Sequence, residues 1–270
     1  MSIFAFDFMR RGLIAALLIG LAAPAIGTFL VQRRLSLMGD GIGHIALTGV
    51  ALGFLLGTAP VLTAIVVAAL GAVTIELVRE RGRASGDVAL ALLFYGGLAG
   101  GSLLIKLSGG TNTTLVSYLF GSLSNVTSTD LWVIVGLSLA VLTVVGVFAR
   151  ELFAVCQDEE VARVSGLPVR FLNILVAVGA AVTVTVAMRA VGLLLVSALM
   201  VVPVATAQQL SRSFRGTILG ACVLGMIASA SGLVVAFYAD VPPGASTVVL
   251  ALGGFLVAVV VAGARRAVAR

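Results

Sequence analysis

Apolar residues run along this chain in nearly unbroken stretches of roughly 20 residues, one after another from end to end. A helix of that length rises about 30 Å, the thickness of a bilayer's hydrocarbon core. So many such runs cannot be hidden in one water-soluble core. Across the 270 residues 60% are hydrophobic and 10% charged, where soluble domains have about half and a quarter. The class is therefore a polytopic, all-α membrane bundle. Outer-membrane barrels are excluded, because their strands alternate polar and apolar residues. At about 20 residues per span, short loops use up the rest of the chain. No room is left for a large soluble domain such as a nucleotidase.

The runs predict nine spans, at 12–32, 42–57, 60–78, 87–107, 131–149, 169–188, 191–209, 216–237 and 246–264. The whole chain, 1–270, reads as one transmembrane domain. The second run is short, so residues 35–41 must enter the membrane with it. The N-terminal segment has the basic and small residues of a signal peptide, but its apolar run continues to Val31 and reads as a span. Between 108 and 130 lies a polar-aromatic stretch whose centre, Leu115–Leu123, reads as a short interfacial or re-entrant helix.

Net charge is +6. The positives cap apolar runs, and no basic tract is interleaved with aromatics, so nucleic acid is not the partner. Nine spans with a cytoplasmic C-terminus put Arg33, Arg34, Arg79, Arg81, Arg83, Arg150, Arg163, Arg170, Arg212, Arg215, Arg265, Arg266 and Arg270 inside. Only Arg10, Arg11, Lys106 and Arg189 then face out, as the positive-inside rule favours. The N-terminus is outside. Eight spans would put Arg33 and Arg34 on the wrong side. Cys156 and Cys222 fall at different depths, which argues against a disulfide. The many glycines let helices approach closely in lipid.

Charges inside spans are expensive, about 2.5–3.5 kcal/mol each on insertion scales. Asp40 and His44, the only histidine, are one helical turn apart and share a face. If the backbone stays near-helical from Arg34, His44 lies about 15 Å deep. A carboxylate and an imidazole so placed suit a borderline divalent cation. An equally consistent structural reading is a buried pair that locks two helices. Residues 158–166 form a second signal. Asp158, Glu159 and Glu160 fall in the first turn of a short helix, with Val161, Ala162 and Arg163 following and Gly166 as its stop. The plain reading is an interfacial turn; the functional one is a helix that docks a partner. Asp240 sits at the outer mouth, where it would attract cations or simply be solvated. Glu76 and Asp87 are expected to pair with nearby arginines, and Pro203 to kink or break its span. There is no GxxxxGK[ST] and no HExxH, so nothing looks catalytic.

These blocks together resemble the ABC-transporter permeases for zinc and manganese. RRLSLMGDGIGHIALTGVALGFLLG, from Arg33 to Gly57, is similar to that family's second-helix signature. Residues 158–168 resemble its coupling segment, Val191–Ala207 its VGLLLVSALMVVPVATA-like helix, Tyr238–Thr247 its outer loop and Ser117–Gly121 its SYLFG element. They occur in the family's order over nearly the whole chain. The resemblance implies a fold similar to the cobalamin and siderophore importers, and a homodimeric permease in a bacterial inner membrane. It implies cytosolic ATPase subunits, a periplasmic or lipoprotein metal-binding protein, and no permanently bound cofactor. Asp40 and His44 would contribute to the translocation-path metal site for Zn²⁺ or Mn²⁺, with Fe²⁺ chemically open, and 159–166 would be the coupling helix. One departure is Ser122, where relatives commonly carry Asp. Rival expectations are an importer of metal chelates and a proton-coupled carrier with Asp40 or His44 as relay.

Overall fold

The computed structural model describes residues 7–80, 86–109, 118–121 and 127–268. Within them the long helices are α1 (Asp7–Gln32), α2 (Met38–Leu55), α3 (Pro60–Glu80), α4 (Gly86–Leu107) and α5 (Ser128–Val147). Two short helices follow, α6 (Ala149–Gln157) and α7 (Glu159–Val164). The chain ends with α8 (Val169–Val191), α9 (Leu193–Leu210), α10 (Phe214–Ala239) and α11 (Pro243–Val268). Nine helices among the described residues are long and apolar enough to cross a membrane, as expected. Ser122, Arg81 and Arg83 lie outside the described residues. So does most of 115–123, of which Tyr118–Phe120 form a helical turn.

Local chemistry sets the helix ends. Pro60 opens α3, where its missing N–H costs nothing. Thr127 and Asp130 form a reciprocal capping box at the start of α5. Ser213 accepts from Gly216 N and caps α10. Gly192, at φ 89°, is the single residue that separates α8 from α9. Pro203 lies inside α9, and the helix runs through it unbroken. Hydroxyls such as those of Thr28 and Thr185 bond back to their own helices, to Pro24 O at 2.8 Å and Ala181 O at 2.7 Å. That satisfies polar groups where no water is at hand.

Packing divides the bundle into layers. α1, α2 and α8 are two-thirds or more buried, and α9 half buried, while α3, α4, α5, α10 and α11 are buried over a third of their length or less. The outer helices expose apolar stripes such as Leu62, Val66 and Leu70 on α3 and Leu252, Leu256 and Val260 on α11. In water such stripes would drive aggregation; against lipid or another subunit they are at home. The protein's interior is thus the set of inner helices, and α2 brings Asp40 and His44 into it.

Candidate functional site

The site begins at a corner. α1 ends at Gln32, and Leu35 N reaches back to Leu30 O (2.8 Å) while Arg34 N reaches Val31 O (3.1 Å). That double closure needs a left-handed residue, here Arg34 at φ 60° where glycine is usual. The chain therefore reverses before α2 starts at Met38, four residues earlier than the hydropathy pattern suggests. It does not continue as a helix from Arg34. His44 lies six residues into α2, about 9 Å along its axis, rather than the 15 Å a continuous helix would give.

Asp40 falls in the first turn of α2, where a carboxylate complements the helix dipole. His44 follows one turn later. Asp40 Oδ1 and His44 Nε2 are 3.9 Å apart, too far for a hydrogen bond. Two metal bonds of about 2.1 Å can span that gap, so both atoms are able to reach one ion. The Asp40 side chain is 27% exposed and that of His44 6%. The imidazole stands edge-on to Phe94 of α4, centroids 4.5 Å apart. Gly97 lets α4 approach this closely, since a Cβ there would lie 2.6 Å from the His44 carbonyl carbon. From α9, Ser197 Oγ lies 3.4 Å from Asp40 Oδ1, and its one proton is shared between that carboxylate and the carbonyls of Leu194 (3.2 Å) and Leu193 (3.3 Å). His44 Nδ1 is buried and has no hydrogen-bond partner among the described residues. A cavity of about 280 Å³, lined by Leu37, Asp40, Leu90, Ala91, Phe94 and Tyr95, opens beside the carboxylate between α2 and α4. No group of three or more His, Cys, Asp or Glu side chains gathers among the described residues. This chain thus offers one oxygen and one nitrogen ligand, with a hydroxyl close by.

The second predicted segment lies at one end of the bundle. Asp158 caps α7, accepting from Glu160 N (2.9 Å) and Val161 N (3.0 Å). Gly166, at φ 82°, closes it, with Leu167 N on Ala162 O and Gly166 N on Arg163 O. Ala162 is buried, while Val161 and Val164 are 61% and 90% exposed, an apolar face without a partner among the described residues. Glu160 is exposed. Glu159 is held by Arg33 (3.1 Å), Arg163 (3.3 Å) and Arg79 (3.7 Å), and by Asn173 Nδ2 (3.4 Å). Arg79 also makes the expected pair with Glu76, at 2.6 Å. The Asp87 side chain is outside the description. Cys156, its Sγ 3.7 Å from Phe29 O, is pushed up to about 11 by burial, against the opposing pull of Arg33. Cys156 and Cys222 are both free.

Asp240 caps α10 in a left-handed turn, φ 51°, and is exposed. The end of α10 packs with the start of α1 through Met9, Leu233 and Phe237, so Asp240 lies far from the α1–α2 corner. Sequence reading missed Ser197, Phe94, Gly97 and Asn173. Ser197 alone had a signal, a hydroxyl within an apolar helix.

A bundle of membrane-length helices, with an acid–imidazole pair inside and an ion-paired short helix at one end, has the architecture of a membrane permease. The model of the ABC 3 transport family matches residues 5–262, and the chain belongs to that family. The manganese import system permease protein ScaB of Streptococcus gordonii is 33% identical over 261 residues, covering 97% of this chain and 94% of that protein. A solved structure of PsaBC from Streptococcus pneumoniae in complex with Fab matches at 33% identity and a TM-score of 0.86, covering 95% of this chain and 92% of that one. An inward-facing structure described as a metal-chelate type ABC transporter shares the fold at 16% identity, with a TM-score of 0.70 over 95% and 90% of the two chains.

Proposed function

We propose that this chain is the permease subunit of an ABC importer for a divalent metal ion, with Mn²⁺ the first candidate and Zn²⁺ the second. It is a multi-pass membrane protein and the permease rather than the ATPase of its system. The observation that carries the metal assignment is the pair Asp40 and His44, on one face of the buried helix α2 and within reach of one ion. One oxygen and one imidazole nitrogen suit both metals. The manganese-named relatives favour Mn²⁺.

In this reading the protein works in the inner membrane of a bacterium as a homodimer. A metal-binding protein delivers the ion outside, and separate ATPase subunits dock on the exposed valines of α7. Two protein ligands are too few to hold an ion in transit. A second copy of the pair, water and the Ser197 hydroxyl would supply the rest. Asp40 attracts the cation and binds it through oxygen. His44 presents Nε2, which already faces the Asp40 carboxylate, as the nitrogen ligand. Asp240, at the outer loop, raises the local cation concentration.

The test is ATP hydrolysis by the reconstituted complex of this chain, its ATPase and its binding protein, titrated separately with Mn²⁺ and Zn²⁺. Stimulation by one metal through the loaded binding protein is expected. An ATPase that never associates with the chain would refute the assignment. So would uptake that collapses with the proton gradient yet tolerates ATP depletion.

A further inference from the structure

Both oxygens of the Glu159 carboxylate are engaged, and they face different helices. Oε2 takes Arg33 from the end of α1 (3.1 Å) and Arg79 from the end of α3 (3.7 Å). Oε1 takes Arg163 of its own helix (3.3 Å) and Asn173 of α8 (3.4 Å). Glu76 in turn holds Arg79 through two bonds, at 2.6 and 3.1 Å. One carboxylate therefore ties α7 to three membrane helices. Arg33 is the most enclosed of its three guanidinium partners, with 7% of its side chain exposed. It is also the residue before the tight reversal at Arg34, and Asp40 follows in the first turn of the next helix. That corner is closed by its own backbone hydrogen bonds, which tie the end of α1 to the approach to α2.

We propose that the Glu159–Arg33 pair is the mechanical link between the ATPase-facing helix and the metal site, a role that presupposes the permease reading above. Movement of α7 reaches α2 through this pair and the α1–α2 corner, and it displaces Asp40 and His44 together relative to Ser197 of α9 and Phe94 of α4. Glu159 and Arg33 are positioning residues: neither touches the cargo. Val161 and Val164 face away from the pair and are free to bind the ATPase.

The experiment uses the full complex in proteoliposomes, with Mn²⁺-loaded binding protein, and reads Mn²⁺ transported per ATP hydrolysed. Arg33→Met keeps the apolar stem and removes the charge. It is expected to assemble and hydrolyse ATP while transport per ATP falls about tenfold, the size of an ordinary coupling energy. Glu159→Gln should show the same loss, and it serves as the second variant if Arg33→Met is not inserted. Transport per ATP within about twofold of wild type in either inserted variant would overturn the link. Loss of ATPase binding in Glu159→Gln beside a fully coupled Arg33→Met would also overturn it, because Glu159 would then be a docking residue. Failure of the wild-type chain to bind an ATPase would instead remove the permease reading, and needs no variant to detect.

Discussion

Asp40 and His44 sit among apolar helices with one long hydrogen bond, from Ser197, to the carboxylate. Glu159, at the end of the bundle, is held by three guanidiniums and an amide. Pairing is needed most where water is scarce, yet the better-paired acid is the one nearer solvent. An acid inside a span costs about 2.5–3.5 kcal/mol, and a purely structural one would be saturated with partners. In the permease reading proposed above, the sparse region keeps its valence for cargo, while the dense region spends its valence on holding helices together.

The largest effect expected from breaking this contrast is at the sparse pair. Asp40→Ala or His44→Ala should cut radioactive Mn²⁺ uptake to below about 1% of wild type, beyond the roughly 10–100-fold that losing a supporting group costs. Insertion and ATPase binding should persist. Wild-type uptake by His44→Ala would remove that residue from the pathway. Next comes the glycine seam behind the imidazole. Gly97→Ala drives a methyl into the His44 backbone and should lower stability by about 1–3 kcal/mol, read as thermal unfolding in detergent. Gly96→Ala, whose methyl meets nothing within 4 Å, should stay within about 0.5 kcal/mol. Equal behaviour of the two would mean that α2 and α4 are not in close contact.

Ser197→Ala should weaken Mn²⁺ half-saturation about three- to tenfold with little change in maximal rate, since it removes one modest hydrogen bond. An unchanged half-saturation would leave Ser197 a helix-packing residue. The smallest effect belongs to Asp240→Asn. Uptake at limiting metal should drop by about twofold at low ionic strength and recover at high salt. A loss that ignores salt would show that Asp240 acts through structure and not through its field.

The nine spans were legible because hydropathy reports burial in lipid directly. The start of α2 was not. Gly39, Asp40 and Gly41 lower the local hydropathy, yet they belong to the helix because its neighbours pack against its small residues. The corner at Arg34 was invisible because a left-handed arginine has no sequence signal. Asp40 and His44 could be found from their spacing and rarity, and Glu76–Arg79 from an i, i+3 separation. Glu159 was read as a first-turn acid of a docking helix, without its guanidinium partners. Its main partner, Arg33, is 126 residues away, and only the fold brings the two together. Ser197 reaches Asp40 across 157 residues for the same reason.

The most direct measurement is pulsed electron paramagnetic resonance of Mn²⁺ trapped in the permease–ATPase complex after the binding protein has been removed, with ATP held as its Mg²⁺ complex, reading ¹⁴N coupling to the metal. Wild type should show an imidazole nitrogen on Mn²⁺, and His44→Ala should lose it, because this chain has no other histidine. Trapped Mn²⁺ without that coupling in wild type, or with it intact in His44→Ala, would contradict a cargo site built on Asp40 and His44.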